Sequence, residues 1–227
     1  MSQIKATYVD HMGSDISVVN AARVSFGKTS EIICTDHQIG TWDLKPGDKK
    51  LISYLAKHKH ISPFGHAFAS FHVKAPVFVA RQLVKHKFLR WNEISRRYVD
   101  DEPELYTPEV WRGRSADKKQ GSDGEVALPK DFFDFSYGGN LHEATIAKYE
   151  SLLEAGVAPE QARMVLPQSM MTEWYWSGSL DAFADMCNLR LKDDTQYETT
   201  LVAQQIDQKM LELYPYSWEA LVYDKED

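Results

Sequence analysis

Residues 85–98 read KHKFLRWNEISRRY, placing Lys85, Lys87, Arg90, Arg96 and Arg97 beside Asn92, Glu93 and Ser95 in a chain of formal net charge −7. Between Arg81 and Tyr98 the six cations face one anion, Glu93. A charge run is ordinarily a solvated face. Here the cations alternate with Phe88, Leu89, Trp91, Ile94 and Tyr98, and they cannot all reach water without exposing aromatics. Asn92, Glu93 and Ser95 add acceptors and short donors. Cations beside such groups can hold a phosphate and read the edge of a heterocycle. The local chemistry points to a nucleotide monophosphate or a similar anion.

Elements must position these groups. Residues 66–76 (HAFASFHVKAP) alternate, with Ala67, Ala69, Phe71, Val73 and Ala75 on one face, and predict a half-buried strand. After Pro76, residues 77–88 have helical spacing: Val77, Ala80, Val84 and Phe88 form one stripe, and Gln82, Lys85 and His86 lie opposite. Helices are predicted over 14–26 (capped by Ser14 or Asp15), 46–58, 141–156 (closed by Gly156), 159–167, 180–191 and 198–213. Residues 4–10 and 171–178 predict strands. Trp174, Tyr175 and Trp176 read as core or interface. The class is α+β with helices in the majority, in one domain spanning 1–227. The polar stretch GRSADKKQGSDGE (113–125) reads as a mobile surface loop.

The 227 residues suffice for one sizeable core. Two cysteines, Cys34 and Cys187, and the lack of a leader or a long apolar run point to a reduced, cytoplasmic protein without a membrane span. A pI near 5.6 argues against broad nucleic-acid binding, which needs a basic face.

With these residues in view, the chain resembles the flavin-dependent thymidylate synthases. Their signature R-H-R-x-x-S-x-N-E-x-S-x-R-Y is matched in register by His86, Asn92, Glu93, Ser95, Arg97 and Tyr98. The upstream HKHISPFGHAF resembles the family's H-x-[ST]-P-F-x-H segment, and ARMVLP and NLRL follow in order. The resemblance covers roughly residues 1–100 and 140–215. It implies an antiparallel or mixed central sheet packed with several helices and a non-Rossmann flavin site. It also implies reductive methylation of dUMP to dTMP with FAD as cofactor, methylenetetrahydrofolate and NADPH as co-substrates, and a homotetramer with shared sites.

By the same resemblance Arg190 stabilises the ionised pyrimidine and His60 lies near flavin and folate; Ser95 reads as a positioning donor and not a nucleophile, because no general base stands beside it in sequence. Gln82, Lys85, Glu93, Ser95, Arg96, Arg97, Arg163 and Arg190 hold the nucleotide. Ser62, Lys85, His86, Lys87 and Glu93 contact the flavin. Lys85, Lys87 and Arg90 stand where the signature has Arg, Arg and Ser, and lysine keeps the charge but loses the planar fork. Gly65 replaces a common glutamate, and Ser179, Asp181 and Asp185 stand where Asn- or Arg-type flavin contacts are expected.

Other readings compete. His58, His60, His66 and His72 invite a metal, but no helical H-x-x-x-H pair or nearby carboxylate accompanies them. Cys34 and Cys187 read as structural, against the flavin-free synthases that use a thiolate nucleophile. His72 reads as a strand histidine with a satisfied hydrogen bond. A non-enzymatic nucleotide- or RNA-binding module using the 81–97 cations and Trp91 is the alternative from a different class.

Overall fold

The alternation at 66–76 becomes the central strand of the protein. A computed structural model describes residues 3–36, 38–117, 121–128 and 140–224. Its main sheet has four antiparallel strands, β1 (Lys5–Met12), β4 (Phe68–Pro76), β8 (Met171–Ser179) and β5 (Leu89–Glu93), in the order β1-β4-β8-β5. Two short ribbons stand apart, β2 (Ile33–Asp36) with β3 (Thr41–Asp43) and β6 (Arg112–Arg114) with β7 (Ser122–Glu125).

On the inner face of the sheet Phe71 pairs with Trp176 and Val73 with Trp174, all four buried. Tyr175 points the other way and is exposed, as the two-residue period requires. Two helices cover this face, α6 (Leu180–Arg190) and α7 (Tyr197–Leu213). α7 contributes Val202, Ile206 and Met210, all fully buried. Phe183 of α6 meets Phe71 and Trp176 edge-on at 5.4 and 5.6 Å. Such large aromatics bury enough area to dominate a core.

The remaining helices are α1 (Asp15–Arg23), α2 (Pro46–Lys57), α3 (Val77–Leu83), α4 (Leu141–Glu154), α5 (Pro159–Ala162) and α8 (Pro215–Trp218). Ser14 is the N-cap of α1, its N–H donating to Ser17 Oγ at 3.0 Å. Asp15 is buried and serves another helix, accepting from the N–H groups of Tyr216 and Ser217 at 3.1 and 2.8 Å. Gly156, at φ +82°, follows the end of α4 as expected.

One expectation is corrected. The helix after Pro76 ends at Leu83 and does not reach Phe88. His86 N–H closes a turn onto Leu83 O at 3.1 Å, and Phe88 takes the left-handed region at φ +64°, which no helix continues. The buried face of α3 is therefore Val79, Ala80 and Leu83, while Val84 and Phe88 are exposed. Within the stretch 113–125, Gly113 and Arg114 belong to β6 and Ser122–Glu125 to β7, and 118–120 lie outside the described residues.

Cys187 is fully buried on α6, its thiol pushed up by burial, and Cys34 is half-buried on β2. His72 Nε2 lies 3.1 Å from Glu173 Oε2 on the outer sheet face. Among the described residues no helix is long and apolar enough to cross a membrane.

Candidate active site

The early end of α3 puts its last turn beside the C-terminal end of α6. There Arg190 Nε–H donates to His86 Nε2 at 3.0 Å and Nη2–H donates to Gln82 O at 3.2 Å. An imidazole nitrogen that accepts is unprotonated, so His86 carries its hydrogen on Nδ1. Burial, and then the charge of Arg190, lowers the His86 pKa to about 4. The pair is thus one cation held by a neutral ring.

The first turn of α7 secures the same corner. Gln82 Nε2–H donates to Gln196 Oε1, and the buried Thr199 donates its hydroxyl to Gln82 Oε1 at 3.2 Å. Thr200 Oγ1–H reaches Arg190 O at 3.1 Å. Gln82 and Arg190 form part of the wall of a cavity of about 1160 Å³, with Arg81, Lys85, Tyr106 and His142 among the other wall residues. Tyr106 is pushed up to about 12 by burial and nearby acidic groups, so its phenol stays a neutral donor. Burial lowers His142, which favours its neutral form.

Beyond the turn, β5 carries the rest of the signature. Leu89 crosses Gly178 of β8 so closely that a Cβ there would lie 2.5 Å from Leu89 Cδ2 and 3.0 Å from Phe88 O, so any larger residue makes the crossing strand shift. Glu93 accepts from Thr172 Oγ1 at 2.6 Å and from Trp91 Nε1 at 3.1 Å, and Trp91 stacks on Trp174 with centroids 4.2 Å apart. Ser95 Oγ accepts from the N–H and Nε–H of Arg97 at 3.3 and 3.4 Å. Arg96 is held by Asp101 at 2.7 Å, and Arg97 lies 5.0 Å from the Tyr98 ring.

The other predicted residues stand elsewhere. Arg163 Nε–H donates to Glu160 O at 3.2 Å. His60 lies 5.9 Å from Tyr54 ring to ring, and Ser62 opens a short 3₁₀ turn, both exposed. One chain therefore brings Gln82, Lys85, His86 and Arg190 together. Glu93, Ser95, Arg96, Arg97, Arg163, His60 and Ser62 are not among the residues lining that cavity.

A family model described as thymidylate synthase complementing protein matches residues 7–216. Flavin-dependent thymidylate synthases are similar across nearly the whole chain. That of Kosmotoga olearia is 41% identical over 218 residues, 94% of this chain and 88% of the relative, and that of Thermus thermophilus is 38% identical over 212 residues, 93% and 73%.

The chain belongs to the flavin-dependent thymidylate synthase family.

A crystal structure of a UMP/dUMP methylase from Streptomyces cacaoi bound with 5-bromo-dUMP has the same fold, with TM-score 0.74 and 28% identity, covering 97% of this chain and 95% of that one. As a member of the flavin-dependent thymidylate synthase family the chain is an enzyme, a methyltransferase, and the non-enzymatic binding-module reading is set aside. Its departures from the family signature are visible in the fold. Lys85 and Lys87 are exposed, and Arg90 sits on β5 opposite Ser177. Asp181, in the first turn of α6, has a carboxylate oxygen buried without a hydrogen-bond partner among the described residues, an environment that repels a phosphate.

Sequence reasoning did not single out Tyr106, His142, Gln196 or Thr199 for the site. Their places depend on long-range packing, and nothing in their local sequence marks them. Arg81 did carry a signal, since it stands four residues before Lys85 in the same cation-rich run.

Proposed function

We propose that the chain is a cytoplasmic enzyme that converts dUMP to dTMP by reductive methylation, with methylenetetrahydrofolate as one-carbon donor and NADPH as reductant through bound FAD. The carrying observation is the Arg190 guanidinium, fixed by His86 and the Gln82 carbonyl at the wall of a cation-lined cavity. Carbon C5 of uracil becomes nucleophilic only as negative charge builds on the ring. A preorganised cation beside that charge is ordinarily the largest catalytic contribution.

In this reading Arg190 stabilises the charged pyrimidine, and Gln82 fixes its place. Lys85, Ser95, Arg96, Arg97 and Arg163 bind the nucleotide and its phosphate. Glu93, already oriented by Thr172 and Trp91, lies between nucleotide and flavin. His60 lines the flavin and folate side.

Two lysines, a hydroxyl and a neutral imidazole, from Lys85, Lys87, Ser62 and His86, suit a cofactor with phosphates and a hydrogen-bonding ring system. These residues would hold FAD, with phosphate recognition at the lysines and not at Asp181. Bound there, FAD supplies the relay of reducing equivalents from NADPH. The chain's own contribution is to bind, orient and shield the reacting ring.

Homotetramer assembly accounts for the residues that do not line the cavity in one chain, because a neighbouring copy could bring its Ser95, Arg97 or Arg163 to this Arg190. The exposure of Phe88 (81%), Met164 (78%) and Tyr98 (77%) around these segments supports it. The test is dTMP formation from dUMP, methylenetetrahydrofolate, NADPH and FAD. Product that depends on all four supports the reading, and no product with all four present overturns it.

A further inference from the structure

Among the described residues four cations line the cavity, Arg81, Lys85, Arg112 and Arg190, against one carboxylate, Glu198. Glu198 already accepts from Gln196 Nε2 at 3.1 Å. Two of the four cations are committed. Arg190 is tied to His86 and Gln82. Arg112 donates Nε–H to Ser122 Oγ at 2.7 Å and Nη2–H to Ser122 O at 3.3 Å, and lies 4.7 Å from the Tyr197 ring.

Arg81 and Lys85 are different. Both are exposed, and neither has a hydrogen bond or ion pair among the described residues. Arg81 sits in the last turn of α3 and Lys85 two residues past its end, and both line the same cavity. Like charges gathered on one cavity wall repel, and an anion between them removes the repulsion. Gln82, next to Arg81, is where Arg190 is anchored, so the uncommitted cations and the pyrimidine-facing guanidinium share one wall. Across the cavity the wall includes Leu141 and His142 from the first turn of α4, whose 14 residues turn their positive dipole end this way.

We propose that Arg81 is a phosphate ligand of the substrate nucleotide, acting with Lys85 and supplied by the same chain that supplies Arg190. The proposal rests on the nucleotide reading above. It adds a residue that the family signature, which begins at Lys85, does not contain. A guanidinium suits the role because its planar fork meets two phosphate oxygens at once, the geometry that the lysine at position 85 has given up.

The test is titration of the flavin-reconstituted protein with dUMP at low and high salt, for wild type, Arg81→Gln and Arg81→Lys. Loss of one charge-assisted contact weakens dUMP binding by about 10- to 100-fold in Arg81→Gln, with a flatter salt dependence and partial recovery in Arg81→Lys. Affinity within about twofold of wild type, or a loss with the wild-type salt dependence, overturns the assignment. Wild-type protein that binds no dUMP overturns the nucleotide reading itself, and the Arg81 proposal with it.

Discussion

Arg190 Nε donates to His86 Nε2 at 3.0 Å, joining the last residue of α6 to the turn that ends α3. The bond works only in one protonation state. A neutral His86 accepts it and leaves the guanidinium as the single charge of the pair, and a protonated ring would set two cations face to face. In the proposed reaction the guanidinium is therefore aimed by a ring that keeps its proton off near neutral pH.

Arg190→Ala should abolish dTMP formation, by at least about 100-fold in kcat, with an unchanged far-ultraviolet circular dichroism spectrum. Arg190→Lys should recover little, because an ammonium cannot reproduce the two anchoring bonds from one rigid fork. Wild-type turnover in either variant would remove Arg190 from the reaction.

His86 should titrate near pH 4 and not near 6.5. Its folded pKa lies below the unfolded value, so between these limits the unfolded chain binds more protons and stability falls as the pH drops from about 6.5 to about 4. The full shift corresponds to about 3 kcal/mol, which solvent around a half-buried ring reduces to about 1–2 kcal/mol. Denaturant melts of wild type and His86→Gln at pH 6.5 and 4.5 check this. Wild type should lose more stability than the variant, and equal losses would show that His86 titrates normally.

Gly178→Ala should push β5 away from β8, since the new methyl meets Leu89 and the Phe88 carbonyl. We expect a stability loss of about 1–3 kcal/mol, the usual range for overpacking. Because Glu93 pairs with Trp174 on the same ladder, dUMP affinity should fall as well. A variant with wild-type melting temperature and affinity would mean that the strand contact is not needed to aim Glu93.

Subunit sharing predicts complementation. Arg190→Ala and Arg97→Ala chains, each inactive alone, should regain part of the activity when unfolded together and refolded as mixed oligomers. Restored dTMP formation would show that the two residues of one site come from different chains. A mixture as inactive as its parents would contradict the shared site.

Much of the fold was legible because the strand at 66–76 and the helix at 198–213 repeat their apolar residues at unmistakable periods. α3 was misread for a physical reason. Val84 and Phe88 continue a helical period, but the stop is set by a left-handed Phe88 and by the close crossing of Leu89 over Gly178, neither of which hydrophobic spacing encodes. The β2–β3 ribbon was missed because Ile33 to Asp43 alternate weakly. At the site the family resemblance pointed to Arg190, His86, Gln82 and Lys85, while Gln196 and Thr199 needed the packing of α7 to be seen. The His86–Arg190 bond spans 104 positions, and no local pattern announces it.

Flavin-dependent methylation of dUMP is tested most directly by the visible absorption spectrum of the purified protein supplied with FAD, followed anaerobically after NADPH is added with and without dUMP. Bound-flavin bands should bleach with NADPH, and bleach faster when dUMP occupies the cavity beside Arg190. A protein that stays colourless after FAD is supplied, or whose flavin is indifferent to NADPH, would contradict that chemistry.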